Sequence, residues 1–325
     1  MFVNDTSEYY EQIKDPEEGM DDEITLSHML RLRNSFTRYG LPFGSLLAKN
    51  LMERELLDEG ARVLEVGPGL GDLAEQFFNE ASPREYVFID ISPRIIGHLR
   101  KRFRGKAYGF MLGNFLDMMI DRKFDLIICN EVLSDLPTIV NFSPKTAQRK
   151  GVYGDALRMV KEYGLEAKGT FNFNYGAIRF LEVASGILDK QGVVFISEQD
   201  SREGFPERIR VYGHNEYTIK MSWVEQVAKK LMFSVESGTL TEFLGIKSEK
   251  FVSFFTQPEL RNLYESLKRK GVIPEQRAWT VKEFFSSNRK FINVNDLGKY
   301  IDFLEKRASM LTDVTDKFSY LVLKK

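Results

Sequence analysis

A glycine-rich turn between a buried strand and a helix is the feature that most limits how this chain can fold. The turn reads VLEVGPGLGDLA and places Gly67, Gly69 and Gly71 at alternate positions after Glu65. The dinucleotide fingerprint would need a glycine where Asp72 stands, and a phosphate loop would need Gly-Lys-Ser/Thr. Alternate glycines let a backbone approach a ligand closely. A carboxylate beside them suits a cationic group better than a diphosphate.

The pattern around this turn alternates between strand and helix and indicates an α/β fold. Strands separated by helices imply a parallel, Rossmann-like sheet with helices on both faces. After a mostly helical stretch the chain returns to an apolar strand at its end, so we expect that stretch to be an insertion before the last strand. The predicted strands are 62–66, 86–91, 107–112, 124–129, 193–197, 233–237 and 318–323. A helix over 43–57 precedes the first strand, and the helices between the strands include 71–79, 93–103, 175–188 and 223–231. A Ser-x-x-Glu pattern, Ser222 with Glu225, predicts a capping box at the start of the last of these helices.

Composition and charge limit the kinds of partner and cofactor that the chain is expected to bind. Lys plus Arg total 46 against 47 for Asp plus Glu, so the net charge of −1 provides no general field for a nucleic acid backbone. The single cysteine, Cys129, and three scattered histidines give no metal-ligand spacing. The early acidic charge is the opposite of a signal peptide, and no window is apolar enough to span a membrane. We therefore expect a cytoplasmic protein with no bound metal, no nucleic acid partner and no membrane insertion.

The strand YVFID ends in a second carboxylate, Asp90, about 20 residues after Gly71. A carboxylate at the end of the second strand can accept hydrogen bonds from both hydroxyls of a ribose. A tight turn alone would explain the glycines, but it would not explain Glu65 and Asp90 at this spacing.

The glycine loop, Asp90 and the LGNF segment resemble the motifs of class I S-adenosylmethionine-dependent methyltransferases. The resemblance implies that S-adenosylmethionine is the cofactor and that Glu65 faces the amino end of its methionyl part. In that family an acidic or amide residue after the third strand faces the adenine amino group. Asn114 fits that position, with Phe115 as a stacking neighbour, although Gly-Asn is also a common turn. The cofactor-binding residues implied are Glu65, Gly67, Gly69, Gly71, Asp90, Ile91, Asn114, Phe115 and Asn130.

Further segments resemble the MidA-like family, mitochondrial and bacterial methyltransferases tied to respiratory complex I assembly. They occur in the family's order and approximate spacing, although the aspartate after the fourth strand stands one position later than in the family pattern. The resemblance implies methylation of an arginine in a protein partner. The segments are YGLPFGSLLAKNL, NEVLSDLP, HNEYTIKMSWVEQVAKKLMF, GTLTEFLGI and FSYLVLKK.

The catalytic candidates follow the fourth strand in the stretch CNEVLSDLP. In this fold the transferred methyl group lies near the end of that strand, so Asn130 and Glu131 are predicted to line the transfer site. Asp135 is predicted to orient the incoming nitrogen, because paired carboxylates can hold a planar guanidinium. Asp135 could instead cap the next helix, and Glu131 could pair with Arg149.

The predicted domain organisation has four parts. Residues 1–24 form an acidic, poorly ordered lead, although the pair Tyr9 and Tyr10 could anchor it to the body of the protein. Residues 25–60 form N-terminal helices, residues 61–239 with 313–325 form the methyltransferase domain, and residues 240–312 form the helical insertion. Within the domain, residues 138–170 are a lid or partner-binding insert, or simply a solvated charged face. We expect a protein substrate; the alternatives are a small-molecule substrate and a non-catalytic, cofactor-binding assembly factor. The sequence predicts no oligomeric state.

Overall fold

The computed structural model describes residues 1–13, 25–105, 107–211, 213–254, 258–271, 275–288 and 297–325. Its strands are β1 Phe2–Asn4, β2 Arg62–Val66, β3 Glu85–Asp90, β4 Tyr108–Leu112, β5 Phe124–Asn130, β6 Thr138–Phe142, β7 Phe171–Phe173, β8 Leu188–Gln199, β9 Arg208–Val211, β10 His214–Tyr217, β11 Ser234–Thr239, β12 Lys250–Phe251, β13 Ser309–Met310 and β14 Phe318–Lys324. Its helices are α1 Ser7–Glu11, α2 Leu26–Met29, α3 Phe43–Glu53, α4 Asp72–Phe77, α5 Pro93–Arg102, α6 Gly151–Tyr163, α7 Tyr175–Ile187, α8 Met221–Lys230, α9 Leu240–Leu244, α10 Pro258–Arg269, α11 Val281–Asn288, α12 Leu297–Glu305 and α13 Thr312–Thr315.

A seven-stranded sheet in the order β11-β14-β8-β5-β2-β3-β4 forms the centre of the molecule. The pairs from β8 to β4 are parallel, whereas β14 is antiparallel to both β8 and β11. This confirms the predicted α/β fold. The last strand of the chain lies inside the sheet rather than at its edge, so the chain does return to the sheet after the helices of residues 240–312.

Helices cover both faces of the sheet, and this explains the nearly continuous apolar sequence of β2 and β5. Neighbouring residues on a strand point to opposite faces. Val63 packs into a core with α3, α4 and α5, while Leu64 packs into a second core with α6, α7 and α8. A smaller apolar cluster within residues 252–304 includes Trp279 and Phe284.

The order in which the strands are placed in the sheet leaves room for a ligand at the carboxyl ends of the parallel strands. From β2 the chain builds outward to β3 and β4, and it then crosses back to place β5 on the other side of β2. The loops after β2 and β5 therefore leave the sheet in opposite directions and open a crevice at the carboxyl ends of these strands.

The N-terminal lead differs from the prediction. Residues 2–4 form β1, which pairs antiparallel with β6, and residues 7–11 form α1. Pairing with β6 provides hydrogen-bond partners for the backbone of residues 2–4. The acidic composition of the segment gave no reason to expect a strand there. Residues 14–24 lie outside the described residues.

Residues 138–170 are an integral part of the fold. β6 pairs with β1 and β7, and Ile139 and Phe142 are fully buried. Arg158 on α6 forms ion pairs with Asp155, Glu162 and Glu182, so its charge is compensated locally. The division of the chain into domains stays a prediction.

The capping box predicted at Ser222 is wrong. Helix α8 begins at Met221, after Lys220, whose side chain makes no capping hydrogen bond, and the amide of Met221 donates instead to the carboxylate of Asp200 at 3.4 Å. A capping box is formed instead at the start of α9, where Thr239 and Glu242 exchange hydrogen bonds with each other's backbone amides. Within the described residues, no helix is long and apolar enough to cross a membrane.

Replacing Gly71 with alanine should destabilise the protein by roughly 2–4 kcal/mol. Gly71 has φ +85°, and a Cβ there would lie 2.5 Å from a ring carbon of Phe103 and 2.8 Å from Leu99 on α5. Gly60→Ala is a matched control, because Gly60 has φ +73° with nothing within 4 Å of an added Cβ, so only the backbone strain of about 1 kcal/mol applies. Urea unfolding of both variants measures the difference, and equal losses would show that contact with α5 is not the reason for the glycine.

Candidate functional site

A cavity of about 490 Å³ lies at the carboxyl ends of β2, β3 and β5, where the strand order reverses. All but one of the residues predicted to bind cofactor or catalyse line it. They are Glu65, Gly67, Gly69, Asp90, Ile91, Asn114, Phe115, Asn130, Glu131 and Asp135. Gly71 is the exception. Its position is explained by its close approach to α5, so its predicted contact with the cofactor is not supported.

The glycine loop presents its backbone to the cavity. Gly67 has φ +62°, and a Cβ there would lie 2.6 Å from a methyl carbon of Val132 in the loop after β5. Gly69 also has a positive φ, of 52°. These conformations favour glycine, and they bring the loops after β2 and β5 into direct contact. The open backbone and the acidic neighbours fit S-adenosylmethionine, which carries an ammonium group and a sulfonium group.

Glu65 lies next to the last residue of β2, borders the cavity and is only 3% exposed. Its carboxylate accepts a hydrogen bond from the hydroxyl of Tyr86 at 2.8 Å. Burial raises the pKa of Glu65 to about 8, although the Tyr86 hydrogen bond opposes this rise. A cationic ligand that reached this carboxylate would favour its ionised form.

Asp90 is the last residue of β3 and is buried, with Ile91 next to it in the cavity wall. One carboxylate oxygen accepts a hydrogen bond from the backbone amide of Ser92 at 2.7 Å. Burial raises the pKa of Asp90 to about 7, while hydrogen bonds from the amides of Ser92 and Ile91 partly offset that effect. The hydroxyl of Ser92 in turn caps α5 by accepting from the amide of Ile95, which fixes the geometry of this strand end.

Asn114 and Phe115 follow β4. The side-chain oxygen of Asn114 accepts a hydrogen bond from the Leu116 amide at 3.0 Å, so the turn that the Gly-Asn pair suggests does form. Phe115 is 4% exposed and packs against Phe180 with 5.1 Å between ring centroids. Its ring is thus mainly a core group that reaches the cavity wall.

Asn130 is held firmly at the end of β5. Its side-chain oxygen accepts a hydrogen bond from the hydroxyl of Ser197 on β8 at 2.6 Å, and its amide nitrogen lies 3.5 Å from the hydroxyl of Ser27. With 8% exposure, the side chain has a fixed direction at the edge of the cavity.

Glu131 is held by a different segment of the chain. Its two carboxylate oxygens accept from the backbone amide of Leu26 at 2.9 and 3.2 Å, and one also accepts from Asn130 at 3.3 Å. Burial raises the pKa of Glu131 to about 7 despite these hydrogen bonds. The alternative in which Glu131 pairs with Arg149 does not match these partners.

Asp135 contacts the N-terminal segment. Its carboxylate accepts a hydrogen bond from the Tyr10 hydroxyl at 2.9 Å, and its backbone oxygen accepts from Thr6 at 2.7 Å. The Nε2 atom of His214 lies 3.5 Å from Asp135 and 3.2 Å from Glu216. Asp135 therefore faces an element far away in sequence rather than capping a following helix.

Two further carboxylates, Glu198 and Glu216, line the same end of the cavity and were missed in the sequence. Glu198 is 2% exposed and accepts from the Ser134 amide at 3.1 Å. Burial, together with the charges of Glu131 and Glu216, raises the pKa of Glu198 to about 8. The segment SEQD at the end of a predicted strand was a usable signal for Glu198, because neighbouring parallel strands end at the same edge.

His28 and Asp72 complete the wall beside the glycine loop. The Nδ1 atom of His28 lies 2.6 Å from the carboxylate of Asp72, which also accepts from Arg102 at 2.8 Å. Burial alone would raise the pKa of Asp72, but His28 and Arg102 together lower it to about 2. The pKa of Asp72 is therefore lowered, whereas burial raises the pKa values of Glu65 and Asp90 in the same cavity.

The contribution of residues before position 28 to the cavity wall was not predicted from the sequence. Tyr10, Thr25 and Ser27 line the cavity together with residues 209–211 of β9. Among the described residues that form its wall, none belongs to 138–170, and the role of that segment as a lid or partner-binding insert stays a prediction. The pair Tyr9 and Tyr10 suggested an anchor between the lead and the body of the protein, but the sequence did not indicate that Tyr10 would reach this site.

The comparison with known families agrees with this geometry. Residues 64–158, from β2 into α6, match a family described as a methyltransferase domain. This match agrees with the order of the strands and with the acidic cavity beside the glycine loop. Together they identify this part of the chain as a methyltransferase domain of the S-adenosylmethionine-dependent class. This confirms the predicted class and cofactor; membership of the MidA-like family stays a prediction.

Particular relatives resemble only part of the chain. One is the ribosomal RNA small subunit methyltransferase A of Thermosynechococcus vestitus, 31% identical over 111 residues, covering 34% of this chain and 38% of the relative. Another is the dimethyladenosine transferase of Saccharomyces cerevisiae, 33% identical over 89 residues, covering 26% of this chain and 27% of the relative. The chain thus spans well under half of the length of either relative.

Two solved structures share the fold over nearly the whole chain. A likely methyl transferase from Burkholderia thailandensis, bound to S-adenosyl-homocysteine, has a TM-score of 0.53 and 12% identity, covering 96% of this chain and 81% of that one. The [4+2]-cyclase SpnF has a TM-score of 0.52 and 13% identity, covering 100% and 98%. Since one neighbour is named a cyclase, the fold alone does not establish methyl transfer.

The affinity for S-adenosylhomocysteine should increase as the pH rises from 6 to 8. Glu65 and Asp90 have pKa values raised to about 8 and about 7, so each must lose a proton before it can accept a hydrogen bond from the ligand as a carboxylate. For each group, the affinity should rise by at most about tenfold for every unit of pH, as long as the pH lies below the pKa of that group. Isothermal titration calorimetry at several pH values measures the slope.

The variant Glu65→Gln provides the control for this pH dependence. The glutamine cannot ionise, so the slope between pH 7 and 8 should flatten, while the contribution of Asp90 at lower pH remains. The same slope in Glu65→Gln and in the wild-type protein would show that Glu65 does not contact the ligand as a carboxylate.

Proposed function

We propose that the chain transfers the methyl group of S-adenosylmethionine to a nitrogen of a protein side chain, an arginine guanidinium in keeping with the MidA-like resemblance. The supporting observation is the concentration of carboxylates at the end of the cavity next to Asn130. We refer to this part, lined by Glu131, Asp135, Glu198 and Glu216, as the acceptor end. Among the described residues that line the whole cavity, the basic side chains are His28 and Arg210.

The acceptor end suits a cationic acceptor for an electrostatic reason. Burial and mutual repulsion raise the pKa of Glu131 to about 7 and that of Glu198 to about 8, so bringing in a positive charge relieves an unfavourable concentration of negative charge. Carboxylates can also hold the planar fork of a guanidinium in one orientation. Orientation contributes much of the catalysis of a displacement reaction.

Methyl transfer also requires that the acceptor nitrogen lose a proton. S-adenosylmethionine supplies an electrophilic methyl group, and the bond between that carbon and sulfur breaks as the carbon–nitrogen bond forms. The pKa values of Glu198 and Glu131 lie near neutral pH, as an efficient proton acceptor requires. Asn130 is fixed by Ser197 at the strand end, so we assign it to alignment of the acceptor with the methyl group.

A small basic molecule is the second candidate acceptor, and one observation favours it. Thr6 and Tyr10 hydrogen-bond to Asp135, and Ile209 pairs with Glu216, so two further segments line the cavity beside these carboxylates. A cavity of about 490 Å³ that is walled in this way has the size of a small-molecule site.

A nucleic acid is a third candidate acceptor to consider, because the relatives include a ribosomal RNA methyltransferase. The similarity to that relative covers 111 residues, or 34% of this chain. The acceptor end of this chain is acidic, and an acidic surface repels phosphates. We therefore retain the expectation that the acceptor is not a nucleic acid. A cytoplasmic location is likewise part of this proposal.

Incubating the protein with tritiated S-adenosylmethionine and a cell lysate tests the acceptor class. Separation into protein, RNA and small-molecule fractions should show label in protein, and acid hydrolysis should release it as methylarginine. Label in the small-molecule fraction would favour the second candidate, and label in RNA would contradict the proposal.

The control is Asp90→Ala, which should abolish labelling by removing the carboxylate expected to hold the ribose. The wild-type protein should bind S-adenosylhomocysteine in the same preparation. Binding without transfer to any fraction would contradict the methyltransferase proposal and would agree with a non-catalytic assembly factor.

A further inference from the structure

The hydrogen bonds of Glu131 point to a second role, in addition to lining the acceptor end. Both of its carboxylate oxygens accept from the backbone amide of Leu26, at 2.9 and 3.2 Å. Leu26 is the first residue of α2, and its amide has no partner within the helix, because the first amides of a helix lack acceptors. The carboxylate of Glu131 therefore holds the start of α2 in place.

Residues 25–28, which we call the cover segment, lie over the cavity. Thr25, Ser27 and His28 all line it. The cover segment is attached to the loop after β5 through Glu131, and the amide nitrogen of Asn130 lies 3.5 Å from the hydroxyl of Ser27. These contacts fix one side of the segment.

The other side of the cover segment is attached across the glycine loop. His28 lies 2.6 Å from the carboxylate of Asp72, the first residue of α4 after the loop. The glycine loop lies between Glu65 near the end of β2 and Asp72. The cover segment thus spans from the loop after β5 to the start of α4, across the place where the glycine loop faces the cavity.

The backbone conformation of Glu131 indicates that the surrounding structure holds this residue in place. Glu131 has φ +53°, a left-handed conformation that is uncommon for residues other than glycine. Such a conformation costs free energy and persists where the surroundings hold it. The amide of Glu131 donates to the backbone oxygen of Ser197 at 2.8 Å, and this contact with β8 holds the turn that directs the side chain to Leu26.

We infer that Glu131 is a positioning residue, which fastens residues 25–28 across the cofactor cavity so that retention of S-adenosylmethionine depends on it. This inference rests on the proposed function only for the identity of the ligand. It assigns to Glu131 an effect on cofactor binding that a residue holding only the acceptor would not have.

Hydrogen exchange at residues 25–30, measured by mass spectrometry with and without S-adenosylhomocysteine, tests the fastening directly. In Glu131→Ala the amide of Leu26 loses its acceptor, and exchange in this segment should become at least about tenfold faster. The affinity for S-adenosylhomocysteine should fall by about tenfold as well. In Glu131→Gln the side-chain oxygen can still accept from Leu26, so both effects should be smaller.

Asp125→Asn is the matched control. Asp125 lies on the same strand, β5, and its carboxylate also accepts from a backbone amide, that of Arg62 at 2.7 Å, but at the opposite end of the strand. Exchange at residues 25–30 and ligand affinity should be unchanged in this variant. His28→Ala removes the second attachment and should weaken ligand binding in the same direction as Glu131→Ala.

Unchanged exchange at residues 25–30 in Glu131→Ala would overturn the inference, as would unchanged affinity for S-adenosylhomocysteine with methyl transfer lost. A failure of the proposed function gives a different result. In that case the wild-type protein would show no methyl transfer, while the exchange of the cover segment in the unliganded protein would still report on the contact between Glu131 and Leu26.

Discussion

The parallel pairing of β2 with both β3 and β5 is the constraint on which the rest of the site depends. Parallel strands end at a common edge, and the register aligns Val66 with Ile89 on one side and with Cys129 on the other. Glu65, Asp90 and Asn130 therefore reach the same cavity although they are distant in sequence. The crossing of the chain from β4 back to β5 then separates the loops on either side of β2 and leaves room for a ligand.

The sequence was informative where function required a particular backbone or a charge at a strand end. Gly67 needs a positive φ and leaves no room for a Cβ beside Val132, and such a requirement is visible as a glycine. Asp90 and Asn130 give apolar strands polar ends, which are easy to locate in a sequence. For these residues, the local sequence pattern and the position in the folded protein lead to the same expectation. Most boundaries of the predicted strands also differ from the observed ones by only one or two residues.

The parts of the site contributed by distant segments could not be predicted in the same way. Tyr10 reaches Asp135 because β1 pairs with β6, and residues 2–13 show no periodic pattern that would predict this pairing. Leu26 contributes only its backbone amide to Glu131, so no side-chain chemistry marks it. Polar atoms of Asp135, His214 and Glu216 lie within 4.8 Å of one another, but only the last two residues are close in sequence. Contacts of this kind depend on tertiary packing, which one sequence does not reveal.

The stretch after β5 also shows why polar residues at a strand end need not all face a substrate. Asn130 connects β5 to Ser197, Glu131 holds the amide of Leu26, and Asp135 holds Tyr10. Each side chain thus joins the loop to a different segment, and together they bring three parts of the chain around one cavity. Concentrating carboxylates here raises the pKa values of Glu131 and Glu198, because burial disfavours charge and like charges repel. The same arrangement that builds the walls therefore creates a site that favours a cation, so the structural and the electrostatic roles of these residues are not alternatives.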